Sequence, residues 1–97
     1  NYNYMKSRLD EEIKRAVIYQ RPCGYLLLDM DDFKDFSTAG GLGKAETLLK
    51  EIGAVLKNSV TEIDKVGRLR DDKFGIILPE KNKRQAAHVA EAIRKNI

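Results

Sequence analysis

The sequence contains no tryptophan, one cysteine, one histidine and two prolines among its 97 residues. A single cysteine, Cys23, cannot form a disulfide within the chain, and a zinc site built from cysteine and histidine would need more ligands than Cys23 and His88 supply. The longest apolar runs, such as Tyr25 to Leu28, are too short to span a bilayer. The first residues also lack the basic-then-apolar layout of a secretory signal. These absences exclude a disulfide scaffold and a cysteine–histidine zinc module, and they predict no direct membrane insertion of this segment.

The sequence also lacks a large excess of either positive or negative charge. Lysine and arginine total 18 and aspartate and glutamate 15, so the net charge is +3 and the pI is near 9.0. The nearest approach to a basic run is Lys81, Lys83 and Arg84, which directly follow Glu80. Nucleic-acid binding usually requires a basic face with aromatic platforms. The interspersed charges instead predict a solvated surface and no nucleic-acid partner.

What is present is a regular alternation of amphipathic and apolar segments. Apolar residues at helical spacing predict three helices, and short apolar runs bounded by glycine, proline or polar residues predict three strands. The strand at 65–70 and the next one are separated by a short polar segment, which predicts a hairpin. Tyr2, Tyr4 and Tyr19 are expected to help pack the first helix. The predicted elements are a helix at 4–19, a strand at 25–30, a helix at 42–58, strands at 65–70 and 74–78, and a helix at 86–97.

This order predicts the α+β class with a β-α-β-β-α core, as in ferredoxin-like folds. We divide the chain into a leading helix and junction at 1–22 and a core at 23–97, which together form a single partial domain. A ferredoxin-like sheet needs one more strand after the last helix, and no residues remain for it. Three strands bury little apolar surface. We therefore expect a fragment, or a partner that supplies the missing edge.

Acidic residues gather where the predicted strands end. Asp29, Asp31 and Asp32 follow the first strand, and Asp71 and Asp72 lie in the hairpin turn. If the hairpin lies beside the first strand, Asp29 and Asp72 could face one ion, because Mg²⁺ is typically held by one or two carboxylates plus substrate phosphates. Acids at strand ends and turns are also common without any metal. On the residues alone, a Mg²⁺ site and a solvated acidic surface both remain open.

Two segments resemble the diguanylate cyclases, or GGDEF domains. The run YLLLDMDDFK at 25–34 is similar to the family's LLxDIDxFK segment, and DKVGRLRDDKFGIILP at 64–79 is similar to DxxxRxGGDEFxIILP. The last predicted helix resembles the family's AxxxAExIRxxI segment. The resemblance covers essentially the whole chain. It implies a GGDEF-type, nucleotide-cyclase-like fold whose final strands are absent from this chain.

The resemblance also implies a function. Family members condense two GTP molecules into cyclic di-GMP in bacterial signalling, and two facing domains each hold one GTP with Mg²⁺. By match to the family, the metal ligands would be Asp29, the carbonyl of Met30, and Asp72, which would also be the catalytic carboxylate if the domain is active. The terminal phosphates would be held by the turn at Asp32, Phe33 and Lys34. Mg²⁺ is therefore the only cofactor, and GTP the ligand, that the resemblance implies.

At several positions this chain differs from the family's motifs. The signature reads RDDKF at 70–74 instead of GGDEF, so Arg70 and Asp71 replace glycines that let nucleotide approach the backbone, and Lys73 replaces an acid. The family's guanine-contacting asparagine and aspartate are Ser37 and Glu46 here. Arg70, Asp71, Ser37 and Glu46 would all belong to the nucleotide site. These changes predict weakened nucleotide and metal binding.

The family's product-inhibition motif RxxD reads Thr61-Glu62-Ile63-Asp64 in this chain. Threonine cannot supply the bidentate fork of an arginine. We therefore expect no high-affinity cyclic di-GMP binding by this route.

Three hypotheses remain at this point. The first is a degenerate GGDEF domain that is not an enzyme and acts as a regulatory, GTP-sensing or dimerisation module of a larger signalling protein. The second is a residual diguanylate cyclase, and the third is an unrelated α+β interaction domain. For the first two we expect a cytoplasmic domain, which could be attached to a membrane protein, acting as a homodimer or against other domains of its parent.

Overall fold

The computed structural model describes residues 2–29, 42–70 and 73–96. Within them the predicted order of helix, strand, helix, strand, strand, helix is confirmed, with bounds that differ by a few residues. The elements are α1 (Tyr2–Tyr19), β1 (Cys23–Asp29), α2 (Leu42–Asn58), β2 (Lys65–Arg70), β3 (Lys73–Pro79) and α3 (Lys83–Asn96).

The three described strands form an antiparallel sheet in the order β1-β3-β2. In the register of this sheet, Gly75 at the centre of β3 stands between Leu27 of β1 and Gly67 of β2. β3 has a strand on either edge and helices over both faces, so every residue from Phe74 to Pro79 is buried. This position explains the nearly continuous apolar sequence of β3, because a strand buried on both faces has no polar side to alternate with.

One face of the sheet carries the main core. Alternate side chains of β3 (Phe74, Ile76 and Leu78) point to this face and pack against α2 and α3. The helical stripes predicted from the sequence supply the facing side chains. The buried helical members of this core are Leu49, Leu56, Ala86 and Ile93.

The opposite face is covered by α1, which contacts all three strands. Met5 is 2% exposed and lies over Gly67. A Cβ added at Gly67 would lie 2.5 Å from the Met5 Sδ, so the glycine leaves space for this side chain. The three tyrosines expected to help pack α1 are instead exposed: Tyr2 is 49% exposed, Tyr4 52% and Tyr19 69%.

The helix α3 begins three residues before the predicted start because of a capping box. The Gln85 backbone N–H donates to Asn82 Oδ1 at 2.9 Å, and the Asn82 N–H donates to Gln85 Oε1 at 2.9 Å. This reciprocal pair satisfies two backbone donors at the start of the helix. The polar residues 83–85 therefore form the first turn of α3 although they carry no apolar signal.

The junction between α1 and β1 is fastened to the turn between β3 and α3. Glu80 and Gln20 both adopt left-handed backbone geometry, with φ of 66° and 53°. The Glu80 N–H donates to the Pro22 carbonyl at 3.0 Å, and the Arg21 Nε donates to both Glu80 carboxylate oxygens at 2.9 and 3.0 Å. The leading helix is thus held to the core by backbone and charge contacts as well as by Met5.

Candidate functional site

The predicted metal carboxylate Asp29 lies at the end of β1 and is paired with a lysine. Asp29 is the last residue of β1 and stands opposite Lys73, the first residue of β3. The Lys73 Nζ lies 3.6 Å from Asp29 Oδ2, and the two side chains are 39% and 55% exposed. The antiparallel register therefore brings the residue that departs from the family's acid directly to a predicted metal ligand.

The predicted guanine contact Glu46 lies on α2 and faces β2. Arg68 donates from Nη1 to Glu46 Oε2 at 2.9 Å and from Nη2 to Oε1 at 3.2 Å. These hydrogen bonds, with the additional positive charges of Arg68 and Lys50, hold the pKa of the Glu46 carboxyl below its usual value. Arg68 matches the arginine of the family's DxxxRxGGDEF segment. The bidentate pair keeps Glu46 ionised and fixes its orientation toward β2.

A groove of about 360 Å³ lies between α2 and β2, beside this ion pair. Lys50, Lys57 and Arg68 give it a positive rim, and its remaining lining is small or apolar: Gly53, Ala54, Val66, Gly67 and Phe74. Neither Asp29 nor Glu46 lines the groove. The described residues therefore do not gather the predicted metal ligand and the predicted guanine contact in this groove.

The other predicted site residues are only partly described. Arg70 ends β2 and pairs with Lys73 across an irregularity in the ladder between Arg68 and Arg70. Extra residues of this kind are common beside functional sites, because they change the direction of the strand. The remaining predicted residues lie outside the described ranges: Met30, Asp32, Phe33, Lys34, Ser37, Asp71 and Asp72.

Asp64, the retained residue of the RxxD segment, faces inward. Its carboxylate is fully buried, and Oδ2 accepts hydrogen bonds from the Thr61 N–H at 2.9 Å and the Thr61 Oγ1 at 2.8 Å. The Lys81 Nζ donates to Oδ1 at 2.9 Å and to Oδ2 at 3.2 Å. Thr61 thus fills the motif's arginine position with a local hydrogen bond. The sequence analysis did not assign Lys81 to this site, because no local pattern pairs it with Asp64, 17 positions earlier in the chain.

The described residues contain no group of three or more histidine, cysteine, aspartate or glutamate side chains placed to hold a metal ion. Cys23 is a free, half-buried thiol. Its burial, with the nearby Glu12 carboxylate, raises the pKa of the Cys23 thiol. A thiol with a raised pKa is a poor nucleophile and metal ligand. The chemistry of the described β1–β3 end therefore rests on one carboxylate, Asp29, and one lysine, Lys73.

A family model for "Diguanylate cyclase, GGDEF domain" matches residues 1–97. The chain belongs to the GGDEF family. The hypothesis of an unrelated α+β interaction domain is therefore wrong.

Curated relatives match over most or all of the chain. A response regulator, PleD of Caulobacter vibrioides, is 32% identical over 97 residues, which are 100% of this chain and 21% of that protein. The "uncharacterized membrane protein YdaK" of Bacillus subtilis is 40% identical over 78 residues, or 80% of this chain and 28% of that protein. This GGDEF chain thus spans between a fifth and a third of the length of these relatives.

Solved GGDEF structures share the fold. The GGDEF domain of PA1120 (YfiN or TpbB) from Pseudomonas aeruginosa superposes with a TM-score of 0.92 at 25% identity, covering 99% of this chain and 60% of that one. The diguanylate cyclase SiaD, solved with its activator SiaC from the same organism, gives 0.93 at 27% identity, with coverages of 99% and 37%. The predicted GGDEF-type α+β fold is therefore confirmed, and this chain corresponds to part of that domain. Among the described residues, no helix is long and apolar enough to cross a membrane.

Proposed function

We propose that this chain is a GGDEF domain that regulates a cyclic di-GMP signalling protein without itself condensing GTP. The observation that carries the proposal is the Asp29–Lys73 ion pair at the end of the β1–β3 ladder. In this interpretation the domain acts as a GTP-sensing or dimerising module. The activity belongs to other domains of its parent protein, by which we mean the protein that carries this chain.

The chemistry of the family makes this ion pair decisive. In the family reaction the 3′-hydroxyl of one GTP attacks the α-phosphate of the other and pyrophosphate leaves. Phosphoryl transfer depends almost entirely on positioning and on electrostatic stabilisation of the phosphates. Mg²⁺ would supply that stabilisation if Asp29, the Met30 carbonyl and Asp72 held it. Lys73 in place of an acid moves the local charge by two units, and its ammonium already engages Asp29.

The proposed nucleotide contacts are also weaker than the family's. Asp32, Phe33 and Lys34 match the family residues that would receive the terminal phosphates. Ser37 is too short to reproduce the paired contacts of an amide with a base edge, and Arg70 adds a side chain where the family has glycine. We therefore propose that any GTP is held mainly through its phosphates.

The test is a product assay and a titration on the parent protein. We expect no cyclic di-GMP from Mg·GTP, measured by chromatography, when every other GGDEF domain of the parent has been inactivated. Calorimetric titration of Mg·GTP, with Asp29→Ala/Asp72→Ala as the control, then separates the two forms of the proposal. Binding by the natural protein identifies a GTP sensor, and the control shows whether Asp29 and Asp72 contribute to it. No binding identifies a scaffold. Cyclic di-GMP made by this domain would contradict both forms.

A residual diguanylate cyclase is the second candidate, favoured by the retention of both carboxylates, Asp29 and Asp72. It requires Asp72 as a catalytic group, so Asp72→Ala would abolish any product that the assay detects. A product level unchanged by Asp72→Ala would refute this assignment of the site.

The parent is proposed to be a larger signalling protein. PleD is named a response regulator, SiaD was solved with an activator, and YdaK is named a membrane protein. By analogy, we propose that residues 1–22 join this domain to an upstream segment and that the domain lies on the cytoplasmic side, in a parent that is membrane-attached. A homodimer or contact with other domains of the parent would provide its partners.

A further inference from the structure

The described part of the predicted metal site does not fit a divalent cation. Asp29 is the one predicted carboxylate ligand within the described residues, and Lys73 is its neighbour in the ladder, with Nζ 3.6 Å from Asp29 Oδ2. A lysine ammonium has donors and no acceptor, so it cannot ligate a metal. The pair Asp29 and Lys73 is electrically neutral, whereas hard cations select sites by carboxylate charge and oxygen ligands.

The effect of Lys73 comes from its fixed position rather than from a strong bond. Both side chains are partly exposed, and ion pairs of this kind contribute little to stability. The ammonium could therefore rotate away from Asp29. The backbone of Lys73, however, is fixed opposite Asp29 in the ladder. The ammonium therefore stays within one side-chain length of that backbone position. A lysine side chain is shorter than the ~8 Å Debye length at physiological salt, so screening weakens the repulsion without removing it. A dication on Asp29 would still be repelled.

We infer that Lys73 is the residue that determines cation specificity in this domain: its ammonium serves as the counter-charge of Asp29 and excludes divalent cations from that carboxylate. The inference rests on the proposed non-cyclising function and gives the reason for it. It predicts that a single substitution at position 73 restores cation binding, because Asp29 is already in place.

The test is Mn²⁺ binding to the nucleotide-free parent protein, followed by electron paramagnetic resonance of the free ion. Mn²⁺ is used as the probe because it binds oxygen-ligand sites of the Mg²⁺ type. Each protein is compared with its own Asp29→Asn variant, so only binding that depends on Asp29 is counted. We expect no difference between the natural protein and Asp29→Asn. We expect Lys73→Glu to bind at least about tenfold more tightly than Lys73→Glu/Asp29→Asn.

Lys73→Gln provides a second variant if Lys73→Glu does not fold, with circular dichroism melts as the check. It removes the positive charge without adding a ligand, so Asp29-dependent binding should appear but be weaker than with glutamate. Asp29-dependent Mn²⁺ binding by the natural protein would overturn the inference. So would the absence of such binding in the folded position-73 variants.

The failure of this inference can be distinguished from failure of the proposed function. If the natural protein binds Mn²⁺ through Asp29 yet makes no cyclic di-GMP, the inference fails and the function stands. If cyclic di-GMP is made without an Asp29-bound ion, the function fails and cation exclusion stands.

Discussion

At the scale of single residues, Asp64 is a retained family position with a structural role in this chain. Its buried carboxylate joins the Thr61 turn before β2 to Lys81 after β3. A buried carboxylate needs hydrogen bonds and a counter-charge, and here it has both. The contacts that satisfy Asp64 use the carboxylate that a ligand would need. The expectation of no high-affinity cyclic di-GMP binding by this route stays a prediction.

Asp64→Ala should destabilise the domain by about 2–3 kcal/mol, because it leaves the largely buried Lys81 ammonium and the Thr61 donors without their acceptor. Urea unfolding of the variant and the natural protein measures the difference. Glu62→Ala is the matched control, since it removes an exposed carboxyl from the same turn and should change stability by less than about 0.5 kcal/mol. Equal losses from the two variants would contradict the assigned role of Asp64.

At the scale of elements, the sequence analysis predicted most accurately the helices and strands whose pattern lies within a short window of residues. The bounds of α2 and β2 agree with the prediction, because an apolar stripe at helical spacing and a turn flanked by strands are readable in a short window. The start of α3 was missed because the signal there is the hydrogen-bonding pair Asn82 and Gln85 rather than hydrophobicity. The docking of α1 through Met5 onto Gly67 was also missed, since those residues are far apart in the sequence.

Gly67→Ala tests how α1 is attached to the sheet. The added Cβ would overlap Met5, so we expect a loss of about 1–3 kcal/mol in the free energy of unfolding. Gly53→Ala in α2 is the control, because its Cβ would lie 3.7 Å from Phe74 Cε1, an ordinary contact. That variant should be neutral or stabilising by up to about 1 kcal/mol.

A double-mutant cycle then identifies the cause of the Gly67→Ala effect. In a Met5→Ala background the space above Gly67 is empty, so Gly67→Ala should cost less than about 0.5 kcal/mol. An equally large cost in both backgrounds would mean that the added methyl group acts through the backbone of β2 and not through Met5.

At the scale of the whole molecule, exposed ion pairs connect elements that the sheet does not join directly. Glu46 links α2 to β2 through Arg68, and Glu80 links the end of α1 to the turn before α3 through Arg21 and, at 3.8 Å, Arg15. The sequence identified Glu46 as a site residue, but it gave no means of pairing Glu80 with residues 59 and 65 positions earlier in the chain. The same holds for Asp29 and Lys73. The sequence shows both residue types, but it does not show the strand register that brings them together.

These pairs predict an acid-sensitive domain. Hydrogen bonds from Arg68 and Arg21 hold the pKa of the Glu46 and Glu80 carboxyls below the ordinary value of 4.5. A group whose pKa is lower in the folded state stabilises that state above its unfolded pKa and loses this contribution as pH falls through its folded pKa. We therefore expect the free energy of unfolding to decrease from about pH 4.5 downward. Glu46→Gln/Glu80→Gln should decrease less steeply in that range when followed by urea unfolding at pH 7, 5, 4 and 3.

The decisive comparison is between the free energies of unfolding at pH 7 and at pH 3. At neutral pH the double variant differs from the natural protein by the lost ion pairs. As the pH falls through the folded-state pKa of Glu46 and Glu80, their carboxyls move toward the uncharged state that glutamine imitates, so the difference in stability between the two proteins should narrow. Glu62→Gln removes an exposed carboxyl that belongs to neither pair and is the matched control. A constant difference between the double variant and the natural protein from pH 7 to pH 3 would mean that packing, rather than charge, accounts for the contribution of Glu46 and Glu80.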